Sequence, residues 1–275
     1  MNRRFLLKSA AATAASLAIP SCRSARSGAA VAPARDRSRC SLPAVRVSED
    51  REIRSIAGLR PFRPSGFVVR TETLGDTVVI HNYGHGGGGI TLSWGTAKLA
   101  VDMLPSSYTG PVAVIGCGAV GLATARLLQE RGHAVAIYAK DLPPNTTSNV
   151  AGGQWFPFFV DDSRQRTPEF LRQLVSASEF AYRRYQILVG RRYGVRWMRN
   201  YLFSETRWND EGLLGLRGPL KSVLPELRDL SPDEHPFPAA PFVRQFDGLL
   251  IEPPVYLTAM LDDVRAAGGT VRVIE

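Results

Sequence analysis

Apolar and polar residues alternate from Gly66 to Asn82 on both sides of Gly75-Asp76. A period of two, broken by a turn dipeptide, predicts two strands joined in a hairpin. Leu92, Leu99 and Met103 recur at helical spacing and predict a helix over 91–104. A loop from Pro105 to Gly110 follows. The apolar run Val112–Ile115 then predicts a buried strand, Ala119–Arg131 a helix, Gly132-His133 its stop and Ala134–Tyr138 a second strand. This order forms a β-α-β unit with parallel strands. The segment 167–189 is a long amphipathic helix, with Thr167 as N-cap and Pro168 in the first helical position. Both charge signs along it suggest a solvated outer face. Val195–Ser204 predicts a strand, and Leu249–Glu252, Pro254–Ala267 and Thr270–Ile274 predict strand, helix and strand. No internal repeat occurs. The class is α/β, with a parallel sheet flanked by helices.

Composition is that of a globular chain: 275 residues, 44% hydrophobic and 21% charged. The net charge of +9 suggests a polyanion partner, but its distribution excludes nucleic acid. Residues 1–46 hold nine of the 34 basic residues and one of the 25 acidic ones, so the rest carries only +1. The basic part reads as a leader. Arg3-Arg4-Phe5-Leu6-Leu7-Lys8 and the Ala-rich stretch after it resemble a twin-arginine export signal over residues 1–22. The implied partner is the export machinery, and the implied location is periplasmic or membrane-anchored. Ile19-Pro20-Ser21-Cys22 loosely resembles a lipoprotein box, which offers Cys22 as a lipid anchor, although Pro20 suits that box poorly. Residues 23–45, rich in Arg, Ser, Ala and Pro, read as a flexible linker. The twin-arginine route carries folded proteins, which raises the expectation of a bound redox cofactor. Three cysteines, Cys22, Cys40 and Cys117, cannot build a disulfide framework or a four-thiolate metal site.

Gly116-Cys117-Gly118-Ala119-Val120-Gly121 is a G-x-G-x-x-G turn between a predicted strand and helix, the setting in which that motif binds dinucleotides. Gly116 makes the turn, Gly118 admits a pyrophosphate and Gly121 lets the helix pack on the strand. Cys117 reads as a buried structural thiol. The acid usual at the end of the second strand is replaced by Lys140, with Asp141 one position later. Lysine there also suits a 2′-phosphate, so the unit by itself leaves FAD and NAD(P) both open.

Two further stretches carry a family resemblance. Ile137 to Phe158, with Thr146, Thr147, Ser148, Gly152, Gly153, Gln154 and Trp155, resembles the flavin-wrapping loop of the D-amino-acid oxidase family. Leu59-Arg60-Pro61-Phe62-Arg63-Pro64, with Val79-Ile80-His81-Asn82-Tyr83-Gly84-His85 and Gly86–Thr91, resembles that family's signature near its C-terminus. The resemblance covers roughly residues 55–275. It implies a Rossmann-like FAD-binding domain over 46–166 and, over 167–275, a helix with a partial, mostly β substrate domain. The order is swapped relative to the family, like a circular permutation. The chain also stops where the family continues, which suggests a truncated version.

The reaction implied is oxidative deamination of a D-amino acid. A hydride passes from the alpha carbon to the flavin, the imino acid hydrolyses to a 2-oxo acid and ammonia, and oxygen reoxidises the flavin to yield hydrogen peroxide. The resemblance assigns the substrate carboxylate to Arg60 and the substrate amine to the Gly87 carbonyl. It assigns flavin contacts to Gly86, Gly88, Gly89, Ile90 and Thr91. Arg63, His81 and His85 read as structural, with no metal site. Asp161-Asp162 reads as a solvated loop, and Tyr182, Tyr185, Trp197 and Tyr201 as core. The alternatives are an NAD(P)-dependent oxidoreductase and an inactive flavin-binding remnant.

Overall fold

Val68–Leu74 (β1) and Thr77–Tyr83 (β2) pair antiparallel in the computed structural model, which describes residues 45–274. Gly75 turns between them at φ 58°. The export signal, Cys22 and nearly all of the linker lie outside the described residues. Helix α1 runs Gly89–Val101. Val112–Ile115 (β3), Ala119–Glu130 (α2) and Val135–Ala139 (β4) form the expected β-α-β unit. Then come Pro168–Ile187 (α3), Val195–Ser204 (β5), Arg228–Leu230 (β6), Phe242–Ile251 (β7), Pro253–Ala266 (α4) and Thr270–Val273 (β8). Strands β3, β4 and β8 make a parallel sheet in that order, and β5, β7 and β6 make an antiparallel one.

Helix α1 forms where the Leu92, Leu99 and Met103 spacing predicts a helix, over Gly89–Val101 rather than 91–104, but it keeps no polar stripe. Every residue from Ile90 to Ala97 is buried, while Met103 lies past the helix end and is exposed. The reason is position: α1 is packed against both α2 and α3, and a helix covered on several sides keeps no polar stripe. Gly95 makes the approach of α3 feasible, since a β-carbon there would stand 1.9 Å from the Ala177 carbonyl oxygen.

Helix α3 is amphipathic as expected. Thr167 Oγ1 accepts from Phe170 N at 3.1 Å, which caps the helix. Arg172 and Arg183 face solvent, whereas Phe170, Leu174, Ala177, Tyr182 and Tyr185 are buried, so only one face is solvated. Tyr182 and Tyr185 are core, but Trp197 is 47% exposed and Tyr201 half-buried. Both lie on β5, an edge strand that gives them neighbours on one side only.

Strand β7 begins seven residues earlier than its apolar pattern indicates. The interruption is Arg244, which is fully buried. Its guanidinium donates to Asp229 Oδ1 and Oδ2 at 2.5 and 2.9 Å, to Asp210 Oδ1 at 3.2 Å and to Leu214 O at 2.7 Å. A charge so partnered can sit in a strand interior, yet it reads as polar in any hydropathy pattern. Gly95→Ala should force α1 and α3 apart and cost about 2–3 kcal/mol, the scale of core overpacking. Its urea midpoint, set against that of Ala100→Gly in the same helix, measures the effect.

Candidate functional site

Helices α1 and α2 run side by side in the same direction. At one end a β-carbon on Gly89 would stand 4.0 Å from Val120 Cγ2, and at the other Arg131 Nη1 donates to Val101 O at 2.8 Å. Their N-termini therefore lie together, and with them the loops 86–89 and 116–121. Both caps are glycines, Gly88 and Gly118, and neither first turn holds an acidic residue. Helix α3, by contrast, has its Thr167 cap and Glu169 in its first turn. Two parallel N-termini with no carboxylate in their first turns present their dipoles, and the amides not already bonded, to an anion.

The fingerprint glycines have separate local reasons. Gly116 takes φ 101°, and its missing side chain faces open space, with nothing within 4 Å. A β-carbon on Gly121 would stand 2.0 Å from Gly116 O, so the helix could not close on the turn. Ser148 lies over Gly118, and its Oγ accepts from Ala119 N at 3.1 Å. Thr146 precedes a short 3-10 turn, Thr147–Val150, and bonds Asn149 Oδ1 from both its amide (3.3 Å) and its hydroxyl (2.7 Å). Lys140 and Asp141 follow β4 and are exposed. Cys117 is buried, which pushes its thiol up to about 11 and keeps it protonated.

The stretch 60–64 wraps the other glycine loop. Gly86 is held at both ends: its amide donates to Pro61 O at 3.2 Å, and its carbonyl accepts from Arg60 Nε at 2.8 Å and also from Nη2. Arg60 Nη2 donates further to Phe159 O at 3.0 Å, on a residue at φ 60°. Arg60 lies across Gly87, where a β-carbon would meet its Nε at 2.5 Å. Arg63 does the same at Gly84, at 2.3 Å from its Cδ. Side chains laid on bare backbone explain why the two motifs occur together. Arg60 Nη1 has no protein partner among the described residues and remains available to a ligand.

His81 and His85 take separate structural roles. His81 Nε2 meets Glu72 Oε2 at 2.8 Å on the hairpin. His85 is buried under the glycine loop, stacked on Phe67 at 5.7 Å, with Nε2 2.8 Å from Thr96 Oγ1. Thr96 donates its own hydrogen to Leu92 O, so Nε2 carries the imidazole hydrogen. Burial pushes His85 down to about 4.

The segment 153–162 closes the site. Thr91 Oγ1 donates to Gln154 O (3.4 Å) and accepts from Phe156 N (3.3 Å), which fastens this segment to the start of α1. Gly153 passes so close to β7 that a β-carbon would stand 1.9 Å from Ile251 O. Val160 packs on Gly86 and Gly88. Asp161 is not the solvated residue its sequence suggests. Its side chain is 1% exposed and is held by both Nε and Nη2 of Arg166, at 2.7 and 3.0 Å. Trp155 is also placed differently from expectation: its indole is fully buried against Tyr182, at 5.0 Å, so it supports the loop from the core side.

The expected residues thus separate into two layers. Gly87, Gly89, Gly116, Gly118, Val120, Gly121, Lys140, Asp141, Thr146, Thr147, Ser148, Gly152 and Gln154 reach solvent wholly or in part. Gly86, Gly88, Ile90, Thr91, Cys117, Ala119, Gly153 and Trp155 are buried behind them. The layout fits a dinucleotide: open space beside Gly116, glycines where backbone must approach, and paired helix N-termini for the pyrophosphate. Asn200 was not evident beforehand. It is buried and bonds Gln154 (2.6 Å), and its only sequence signal is an amide among the apolar residues of β5.

The sequence profile of the FAD dependent oxidoreductase family, DAO, matches residues 22–103 and 111–273. The chain belongs to this family. FAD is accordingly its cofactor, and the nicotinamide alternative is set aside. The D-amino-acid oxidase of Rubrobacter xylanophilus is 32% identical over 168 residues, 59% of this chain and 45% of that protein. That of Streptomyces coelicolor is 32% identical over 173 residues, 61% and 48% of the two chains. The chain spans about half the length of these curated relatives. Among solved structures, glycine oxidase from Bacillus cereus superposes with a TM-score of 0.40 at 20% identity, covering 60% of this chain and 47% of the other.

The pH dependence of stability should register His85. The fold holds it neutral, while the unfolded chain takes up a proton below its ordinary value of 6.5. Its contribution is full above that value and is lost as pH falls toward about 4, amounting to about 2 kcal/mol between pH 7 and 5. Urea unfolding at both pH values should show this slope, and His85→Phe should remove it.

Proposed function

We propose that this flavoprotein oxidises D-amino acids to 2-oxo acids and ammonia, with oxygen as electron acceptor and peroxide as the reduced product, after export as a folded protein. The observation that carries the reading is Arg60 with its Nη1 unpaired, lying across Gly87 where two glycine loops meet. The D-amino-acid oxidases among the relatives support it. When bound, the flavin supplies a two-electron acceptor for the Cα–H hydride.

Arg60 Nη1 offers a charge-assisted N–H to the substrate carboxylate, while Nε and Nη2 hold the guanidinium in place through Gly86 and Phe159. The Gly87 carbonyl accepts a hydrogen from the substrate amine. The amides at the starts of α1 and α2 hold the anionic parts of the cofactor and favour negative charge that develops there. No side chain has to remove a proton if the amine arrives neutral. His85 is unsuited to that task, since its Nε2 hydrogen is committed to Thr96 and it is buried.

The swapped order of the two signatures reads as a circular permutation. Support comes from the family profile, which matches in two blocks separated by 104–110, and from the parallel packing of α1 on α2.

The full chain, reconstituted with FAD and kept anaerobic, should lose its visible flavin absorbance on addition of D-alanine and keep it with L-alanine. Arg60→Ala should still hold flavin but need at least about tenfold more D-alanine, since a charge-assisted pair is worth about 1.5–3 kcal/mol. An unchanged requirement rejects the role of Arg60. Export is tested separately: Arg3→Lys with Arg4→Lys should leave the protein in the cytoplasmic fraction, whereas the parent chain is recovered from the periplasm or membrane.

A further inference from the structure

Asn200 and Gln154 join the cofactor cradle to the antiparallel sheet. Asn200 lies on β5 opposite Phe246 of β7 and is 7% exposed. Its Nδ2 donates to Met198 O at 3.1 Å, so Oδ1 is the atom that faces Gln154. Gln154 Nε2 donates to that oxygen at 2.6 Å. The two bonds fix both amides in one orientation and leave Gln154 Oε1 with no protein partner among the described residues. The arrangement needs a glycine on the neighbouring strand: a β-carbon on Gly248 would stand 2.7 Å from Asn200 Nδ2.

Gln154 is held from three sides. Its carbonyl accepts from Thr91 on α1, its main chain bridges Leu250 of β7, and its side chain is tied to β5. Yet the residue is exposed. A fixed, exposed acceptor binds a donor with little loss of side-chain entropy. The charges nearby on β5 are already matched: Arg196 pairs with Glu252 at 3.3 Å and Arg199 with Asp247 at 2.9 Å. The flank is apolar, with Met198 on the same face of the strand as Asn200 and Phe156 stacked on Phe246 at 5.8 Å.

We infer that the Gln154–Asn200 amide pair determines substrate specificity, with Gln154 Oε1 favouring amino acids whose side chain carries a hydrogen-bond donor over those with an apolar or acidic one. The inference rests on the amino-acid reading given under Proposed function. A site built to bond a donor rejects an isostere lacking it, and it opposes an acceptor in the same place. D-Asparagine, D-leucine and D-aspartate have nearly the same shape, and only the first carries a side-chain hydrogen-bond donor.

The test is an anaerobic titration of the FAD-loaded full chain with these three amino acids. The readout is the concentration that gives half of the change in the flavin spectrum, whether by binding or by bleaching. D-Asparagine should act at a concentration at least about tenfold below D-leucine and D-aspartate. Gln154→Leu, at an exposed position, should reverse the preference for D-asparagine over D-leucine. Asn200→Leu, which releases Gln154, should erode it while leaving Gln154 present. An unchanged ratio in Gln154→Leu, or a parent chain that prefers D-aspartate, overturns the inference and leaves the amino-acid reading intact. Bound flavin that responds to none of the three, nor to D-alanine, overturns that reading and this inference with it.

Discussion

The site depends on two helices starting at one point. Parallel packing of α1 on α2 sets two positive helix ends beside each other, and this is unfavourable unless something negative lies between them. Ordinary helices relieve such ends with an acidic first turn or a side-chain cap, as α3 does with Thr167 and Glu169. Here glycines stand at both caps and neither first turn carries an acid. The fold keeps the unfavourable arrangement by burying α1 among its neighbours. Packing free energy thereby holds open a site that electrostatics alone would disperse.

The same economy explains the glycines. At Gly84, Gly86 and Gly87 the absent side chains are replaced by parts of Arg63, Phe62 and Arg60, and at Gly88 by Val160. The loop is therefore rigid despite its composition, because other segments lie on its bare backbone. Arg60 is both a support and an exposed cation, and its three bonded hydrogens are what orient the free ones. Removing it tests two roles together, which is why flavin retention and substrate requirement have to be read separately.

Much of this was legible in the sequence where local pattern and local structure coincide. The hairpin around Gly75, β3 at Val112–Ile115, β5 at Val195–Ser204 and the Thr167 cap follow from alternation, length and turn chemistry. The misreadings are tertiary. Hydropathy marks Asp161 and Arg244 as surface residues, but direct ion partners, Arg166 for Asp161 and Asp229 on a neighbouring strand for Arg244, allow their burial. Trp197 looks like core because it is large, and only its place on an edge strand exposes it. Asn200 gave little signal because its partner, Gln154, is 46 residues away in a different motif. Site residues were recognisable where a motif dictates backbone geometry and obscure where a side chain works through another.

Chain order matters little to a site of this kind. Each loop contributes backbone amides and a helix end, and neither contribution depends on which loop is made first. What matters is that the connection between them be short and held. The chain leaves α1 at Asp102, and Arg131 near the end of α2 bonds both Val101 and Asp102. Tyr108 stacks on His133 at 6.0 Å, and His133 Nδ1 meets Gly110 O at 3.2 Å, just before β3 begins. The connection is thus fastened to the far end of α2, about a helix length from the glycines. It fixes the register of the two helices while keeping clear of the cleft their other ends create, so that either order of the two signatures can build the same cradle.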